Sequence, residues 1–253
     1  MKVGVFIDAA NITMNGGYAM RYDVLRNFCS FGHDVVRLNT YLAYDGDRIR
    51  NDEEYRIRQY RYYSVLRNFG YKVITKEVRW YNDDQGNRLG KANADLDMGI
   101  DMLLQAKFLD KIYLLTGDGG FRKVVGALQN QGVRVELIAF NNVSKELKFE
   151  SDRFTSGFII PNLLPFEHER TNRPNQENLW GEEGSLVRGI CHNPADSYAF
   201  VRIMGKDYRP KDVFCHVADS HDIHAFVMDR VYEFTLTHSD QGLQGKNIRL
   251  VDQ

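Results

Sequence analysis

The chain has 253 residues, 43% hydrophobic and 26% charged, with a formal net charge of −1; that composition is ordinary for a soluble protein with at least one full core. No stretch approaches the ~18 continuous apolar residues of a membrane helix, the apolar run in "MKVGVFIDAANI" is too short for a signal peptide, and the near-neutral charge confines any nucleic-acid affinity to local patches. Three widely spaced cysteines, Cys29, Cys191 and Cys215, make neither a disulfide framework nor a CxxC metal site, and they suit a reducing cytoplasm.

Taken in order, "KVGVFI" (2–7), "VVRLNTYLAY" (35–44), "YKVITKEV" (71–78), "KIYLLTG" (111–117) and "VRVELIAF" (133–140) are β-rich apolar runs. Helical stretches fall between them, near 18–31, 52–69, 93–109 and 119–131. Continuous apolar strands alternating with helices predict an α/β domain, a parallel sheet with helices on both faces. In such sheets a site forms beyond the carboxyl ends of the strands, at the switch point. Asp8 and Asp118 both stand at such ends.

Near residue 165 the pattern changes. Residues 166–183 are polar and acidic, include one proline and follow another at Pro165, and show no strand or helix period, as a linker would. From 184 to 253 follow five short runs, "SLVRGICH", "SYAFVRIM", "DVFCHVAD", "RVYEFTLTH" and "KNIRLVDQ". These predict a small all-β barrel.

The first domain, residues 1–165, holds a set of acids. Asp8 ends the first strand, with Asn11 three residues on. "KANADLDMGIDML" carries Lys91, Asp95, Asp97 and Asp101, and "TGDGGF" carries Asp118. On a helix Asp97 and Asp101 share a face and repel. A hard divalent cation, Mg2+ or Mn2+, would offset that repulsion through oxygen ligands. Read singly, Asp8 and Asp95 are equally helix N-caps, and Asp97 and Asp101 are solvated or boundary acids.

"VFIDAANI", "KANADLDMGIDML" and "IYLLTGDGGF" resemble, in order and spacing, the three motifs of NYN domains, the PIN-like (Rossmann-like) ribonuclease group that includes LabA-type bacterial proteins. The resemblance spans residues 1–160. It implies Mg2+- or Mn2+-dependent hydrolysis of RNA phosphodiesters, with Asp8, Asp95, Asp101 and Asp118 as acidic ligands. Asn11 would support Asp8 or a substrate phosphate, and Asp97 would be a variable additional acid. The family commonly reads S/T-G-D-S-D-F, and Gly120 stands where its second aspartate would be.

"RIRNDEEYRIRQYRYYSVLR" (48–67) is rich in arginine and tyrosine. Arginine forks fit phosphate and aromatic faces stack bases, which makes Arg58 and Arg61, with Lys91, candidate RNA contacts. The same stretch also reads as an amphipathic helix with Tyr55, Tyr62, Leu66 and Phe69 as its core face. Arg79, Trp80 and Tyr81 form a smaller basic–aromatic group before the loop 82–90.

In the barrel, alternation puts Tyr198 with Phe200 on one face of their strand and Phe214 with His216 on one face of theirs, so that two neighbouring strands would present all four on a single surface. Alone it leaves open whether these rings face a single strand of nucleic acid or the core. "GICHNPADSYAFVRI", "DVFCHVAD" and "VYEFTLTHSDQGLQGKNIRL" resemble a cold-shock domain, an OB-type barrel, over residues 184–253. That resemblance implies that Tyr198, Phe200, Phe214 and His216 face the nucleic acid. It departs from the family pattern at Ala199, where the usual residue is glycine, and in the opening strand. His192, His216, His221, His224 and His238 show no recognisable ligand spacing and read as packed or free histidines.

The expectation is therefore a cytoplasmic metal-dependent ribonuclease for single-stranded RNA, with no membrane partner and homo-oligomerisation left open. A non-catalytic RNA-binding regulator is the alternative. A nucleotide-binding switch is disfavoured, because neither GxGxxG nor a P-loop is present.

Overall fold

The protein is described from a computed structural model, covering residues 1–82, 85, 88–166, 179–220 and 222–251, with backbone alone for Arg88, Leu89 and Lys91. It divides into two compact units, residues 1–18 with 22–155, and 19–21 with 156–253.

The first unit is a six-stranded sheet in the order β3-β2-β1-β6-β7-β8. Its strands are β1 (Lys2–Asp8), β2 (Asp34–Tyr44), β3 (Lys72–Glu77), β6 (Lys111–Leu115), β7 (Arg134–Ala139) and β8 (Arg153–Ser156). The β3-β2, β2-β1, β1-β6 and β6-β7 pairings are all parallel. After β3 a separate hairpin, β4 (Arg79–Asn82) and β5 (Arg88–Lys91), occupies part of the expected loop 82–90. Trp80 and Tyr81 are exposed on it.

The long helices are α2 (Tyr22–Ser30), α4 (Glu53–Asn68), α5 (Ala94–Gln105) and α6 (Arg122–Asn130). Three helices of six residues, α1 (Ala9–Met14), α3 (Gly46–Asn51) and α7 (Lys145–Glu150), carry no legible period because two turns are too few to show one. Caps mark them instead: Asp8, Asp45 and Ser144 each accept from the backbone N–H three residues on.

The core is apolar where the sequence is continuously apolar. Val3, Val5, Phe6 and Ile7 of β1 and all of "KIYLL" in β6 are buried, as expected of strands covered on both faces. Met98 and Met102 of α5 pack into the same cluster as Phe6, Tyr41 and Leu114. On α4 the buried residues are Tyr63 and Leu66, while Tyr55, Tyr62 and Phe69 are only half-buried. The expected core face was thus displaced toward Tyr63. Its phenol Oη is itself buried without a hydrogen-bond partner.

The second unit is a closed barrel of β9 (Leu186–Pro194), β10 (Tyr198–Met204), β11 (Pro210–His216), β12 (Val231–Ser239) and β13 (Gly242–Leu250). Its order, β10-β11-β13-β12-β9, combines a parallel β11–β13 contact with antiparallel pairings elsewhere. Five strands closed in this way are consistent with an OB-like domain. Val187, Val201, Val213, Phe234 and Ile248 fill it.

The ends of the stretch read as a linker belong to this core. Phe166 and Trp180 are each 1% exposed and their rings stack at 6.0 Å. Trp180 Nε1 donates to the Met204 carbonyl at 2.8 Å. Arg188 lies over the Phe166 ring at 4.3 Å, donates to the Pro165 carbonyl at 3.0 Å and pairs with Glu233 at 2.8 Å. Two buried aromatics in a polar stretch show no period, so the sequence hid them; residues 167–178 of that stretch lie outside the described residues. Trp180→Ala is expected to destabilise the barrel by about 3–5 kcal/mol, read by denaturant unfolding followed on barrel amide signals in NMR. A free linker residue would leave those signals unmoved.

Candidate active site and nucleic-acid interface

In the order β3-β2-β1-β6-β7 the strands that follow β1 are laid down first on one side of it and then on the other, so the switch point lies at the carboxyl ends of β1 and β6. Ile7 pairs with Leu115 there, which brings Asp8 beside the loop starting at Thr116. Asp8 caps α1 by accepting from the Asn11 N–H at 3.1 Å, and its second oxygen accepts from Thr116 Oγ1 at 3.2 Å. Asn11 Oδ1 accepts from the Gly117 N–H at 2.7 Å. Two side chains from the first loop are therefore tied to the fourth-strand loop. Capping is compatible with the site reading of Asp8, because a carboxylate with two oxygens keeps lone pairs after accepting two bonds.

Asp118 has its N–H donating to Thr116 Oγ1 at 3.2 Å, and its Oδ1 accepts from the Gly120 N–H at 2.8 Å. Asp95 stands exposed in the first turn of α5. Asn93, not Asp95, is the N-cap, and its side chain makes no capping bond. Burial pushes the Asp8 carboxyl above its ordinary range; the Asn11 and Thr116 hydrogen bonds oppose this, and the negative charges of Asp95 and Asp118 add to it. Asp8 therefore senses both of the other acids.

The other two acids of the expected set are engaged elsewhere. Asp97 accepts from Lys76 Nζ of β3 at 2.7 Å, and Asp101 accepts from Tyr41 Oη at 2.7 Å. Among the described residues no three His, Cys, Asp or Glu side chains stand close enough to hold a metal ion directly. The expected set of five acidic ligands is thus not drawn together here: Asp97 is turned to Lys76 and Asp101 to Tyr41. Tyr41 and Lys76 escaped the sequence reading. Tyr41 pairs with Asp8 in the β1–β2 register, a signal visible only once the sheet is aligned. As a donor set, Asp8, Asp95 and Asp118 fit a hydrated Mg2+ or Mn2+: all are hard oxygens, one is desolvated, and Mg2+ keeps several waters while taking one or two carboxylates.

Gly120 lies beside this group. A Cβ there would stand 3.3 Å from Asp118 Oδ1, so a side chain at 120 would project next to that carboxylate.

On α4, Arg58 and Arg61 are exposed. Arg48, Arg50 and Arg56 pair with Asp52, Asp47 and Glu53; among the described residues no ion pair within 4.0 Å engages Arg58 or Arg61. The Lys91 side chain lies outside the described residues.

On the barrel, alternation resolves outward. Ala199, Val201, Val213 and Cys215 are buried, while Tyr198 and Phe200 are 40% and 37% exposed. Tyr198 pairs with His216 and Phe200 with Phe214 across β10 and β11. Tyr198 and Phe214 lie 5.5 Å apart and tilted, with Phe200 edge-on to both. His216 Nδ1 accepts from the Ala218 N–H at 3.1 Å, which leaves Nε2 to carry the proton. Of the other histidines, His192 sits 3.0 Å from Asp212 and His238 3.7 Å from Glu183; His221 lies outside the described residues. All three cysteines are buried and free.

A parallel sheet with acids at its switch point, followed by an OB-like barrel with exposed aromatics, defines a PIN-like α/β domain joined to an OB-like module. The chain belongs to the NYN domain family, whose model matches residues 2–163. It is 27% identical over 180 residues to the Low amplitude and bright protein LabA of Synechococcus elongatus, covering 68% of this chain and 90% of that protein. A crystal structure of a protein of unknown function from Vibrio parahaemolyticus aligns with a TM-score of 0.49 at 21% identity, over 61% of this chain and 91% of that one. No helix among the described residues is long and apolar enough to cross a membrane.

The raised Asp8 pKa has a sign that can be checked. An acid whose folded pKa exceeds its unfolded value costs stability once ionised, so the cost grows as pH rises from about 3.9 through the raised value, and is absent below. Asp8→Asn removes it. In metal-free buffer at pH 7 the variant is expected to melt higher than the parent, with the difference shrinking on acidification and vanishing below about pH 3.9; thermal unfolding by circular dichroism measures it.

Proposed function

We propose that this protein is a Mg2+- or Mn2+-dependent endoribonuclease that hydrolyses phosphodiester bonds of single-stranded RNA, with the barrel as its nucleic-acid grip. The observation that carries the reading is the placement of Asp8 and Asp118 at the carboxyl ends of β1 and β6, at the switch point, with a desolvated Asp8 facing the charges of Asp95 and Asp118. Uncompensated like charges beside a desolvated carboxylate favour a cation, and membership of a family whose nucleases generally use divalent metals agrees. Asp8, Asp95 and Asp118 would hold the ion. When bound, such an ion supplies an acidic water and polarises a phosphodiester.

The chain's own groups prepare the site for that chemistry. Asn11, its Oδ1 fixed by Gly117 N–H, keeps its amide N–H groups for a phosphate oxygen. Thr116 holds Asp8 against rotation. Asp101 is anchored on the α5 face by Tyr41. Arg58 and Arg61 are free to meet the RNA backbone, and Lys91 is kept as a candidate on its motif position. Tyr198, Phe200, Phe214 and His216 would stack unpaired bases. Because barrel and acidic crevice share one chain, capture of RNA by one raises its effective concentration at the other. The cytoplasm, where RNA and free thiols coexist, is the matching compartment.

A second reading has its own support. Lys76 neutralises Asp97, and Gly120 adds no carboxylate beside Asp118; both suit an RNA-binding regulator whose acidic site no longer cuts.

Purified protein with end-labelled single-stranded RNA, in Mn2+ and in EDTA, separates the two. Cleavage in Mn2+ alone is expected, and Asp8→Asn or Asp118→Asn should lower it on the order of 100-fold or more, beyond the 10- to 100-fold typical of groups behind the ligands. Unchanged cleavage in both variants rejects the site. Binding without cleavage in either buffer supports the regulator. Gly120→Asp, which adds a carboxylate beside Asp118 at a position without positive φ, is expected to bind Mn2+ more tightly than the parent by isothermal titration calorimetry.

A further inference from the structure

Beyond the aromatic rings, the outer face of the barrel holds a built polar group. Arg202 follows Phe200 by two residues on β10, and Asp212 precedes Phe214 by two on β11; the two are paired across the strands. Both therefore continue the row Tyr198–Phe200 and His216–Phe214 on the same face. Arg202 donates from Nε to Asp212 Oδ1 at 2.9 Å and from Nη2 to Oδ2 at 3.3 Å. Two parallel bonds fix the guanidinium plane; Nη1 takes no part in them.

A third residue arrives by an irregularity. β9 and β10 pair Phe200 with Asn193 but Val201 with Cys191, so His192 is the extra residue of a β-bulge. Bulges re-aim a side chain, and this one sets His192 Nε2 3.0 Å from Asp212 Oδ1. Asp212 is held below the ordinary carboxylate range, by the Arg202 hydrogen bond first and with His192 contributing, so the carboxylate that orients Arg202 stays ionised. An exposed arginine has little reason to be gripped from two sides, since such surface pairs contribute about 0–1 kcal/mol. A flat guanidinium at the end of an aromatic row has a use: bases stack on it as they do on rings.

We propose that Arg202, held flat by Asp212 with His192 behind it, is a further base-stacking position, so that the barrel takes a single strand one nucleotide longer than its aromatic rings alone would engage. This rests on the reading of the barrel as a grip for single-stranded RNA. Asp212 and His192 act as positioning residues, and Arg202 touches the base.

The test is fluorescence anisotropy of the full chain with labelled oligouridines lengthened one nucleotide at a time. The parent's affinity should rise with length and then level. Arg202→Lys keeps the charge and loses the plane. It should weaken binding about 5- to 50-fold, as loss of one stacked base does, and should level one nucleotide earlier. Asp212→Asn removes a negative charge, which by electrostatics alone would tighten binding to RNA; the proposal expects it to weaken instead. If Arg202→Lys and Asp212→Asn bind as tightly as the parent, or more tightly, while Phe214→Ala binds weakly, the stacking role of Arg202 is wrong and the barrel reading stands. If Phe214→Ala also binds as the parent does, the barrel reading has failed, and this inference with it.

Discussion

Everything at the acidic edge depends on Asp8 being held where a carboxylate is costly. It ends a strand whose interior is buried, accepts one bond from the helix it caps and one from Thr116, and faces the charges of Asp95 and Asp118. The parallel order β2-β1-β6 creates that position by opening a crevice where the topology reverses. Asn11 closes the arrangement from the other side by binding the Gly117 N–H. A fold needs only one of these oxygens as a cap. The second is held by Thr116 among like charges, a stability cost that a cation would relieve.

The same crevice limits what the acids can do unaided. Asp97 is neutralised by Lys76 and Asp101 is tied to Tyr41, so the acids sort into two groups. Asp8 faces the charges of Asp95 and Asp118; Asp97 and Asp101 are each partnered by the protein itself. Gly120 marks the boundary, since any side chain there would stand against Asp118.

Much of this was legible in the sequence, for physical reasons. Strands buried on both faces announce themselves as continuous apolar runs, which is why β1 and β6, and with them Asp8 and Asp118, were placed correctly. Period-two alternation in "YAFVRI" marked the two barrel faces, though only the barrel's closure showed that Ala199 and Val201 point inward and Tyr198 and Phe200 outward. What stayed hidden was non-local or too short to repeat. Tyr41 meets Asp101 through strand register. Lys76 reaches Asp97 from another element. Phe166 and Trp180 are single aromatics in a polar stretch, and His192 depends on one inserted residue. Helices of six residues left a cap but no period.

The most direct measurement of the central claim is the ionisation of Asp8 itself, followed by 13C NMR of its side-chain carboxyl across a pH titration with and without Mg2+. The account predicts a pKa above the ordinary aspartate value in the absence of the ion, falling below it when Mg2+ is added. An Asp8 that titrates at the ordinary value and ignores Mg2+ would contradict it.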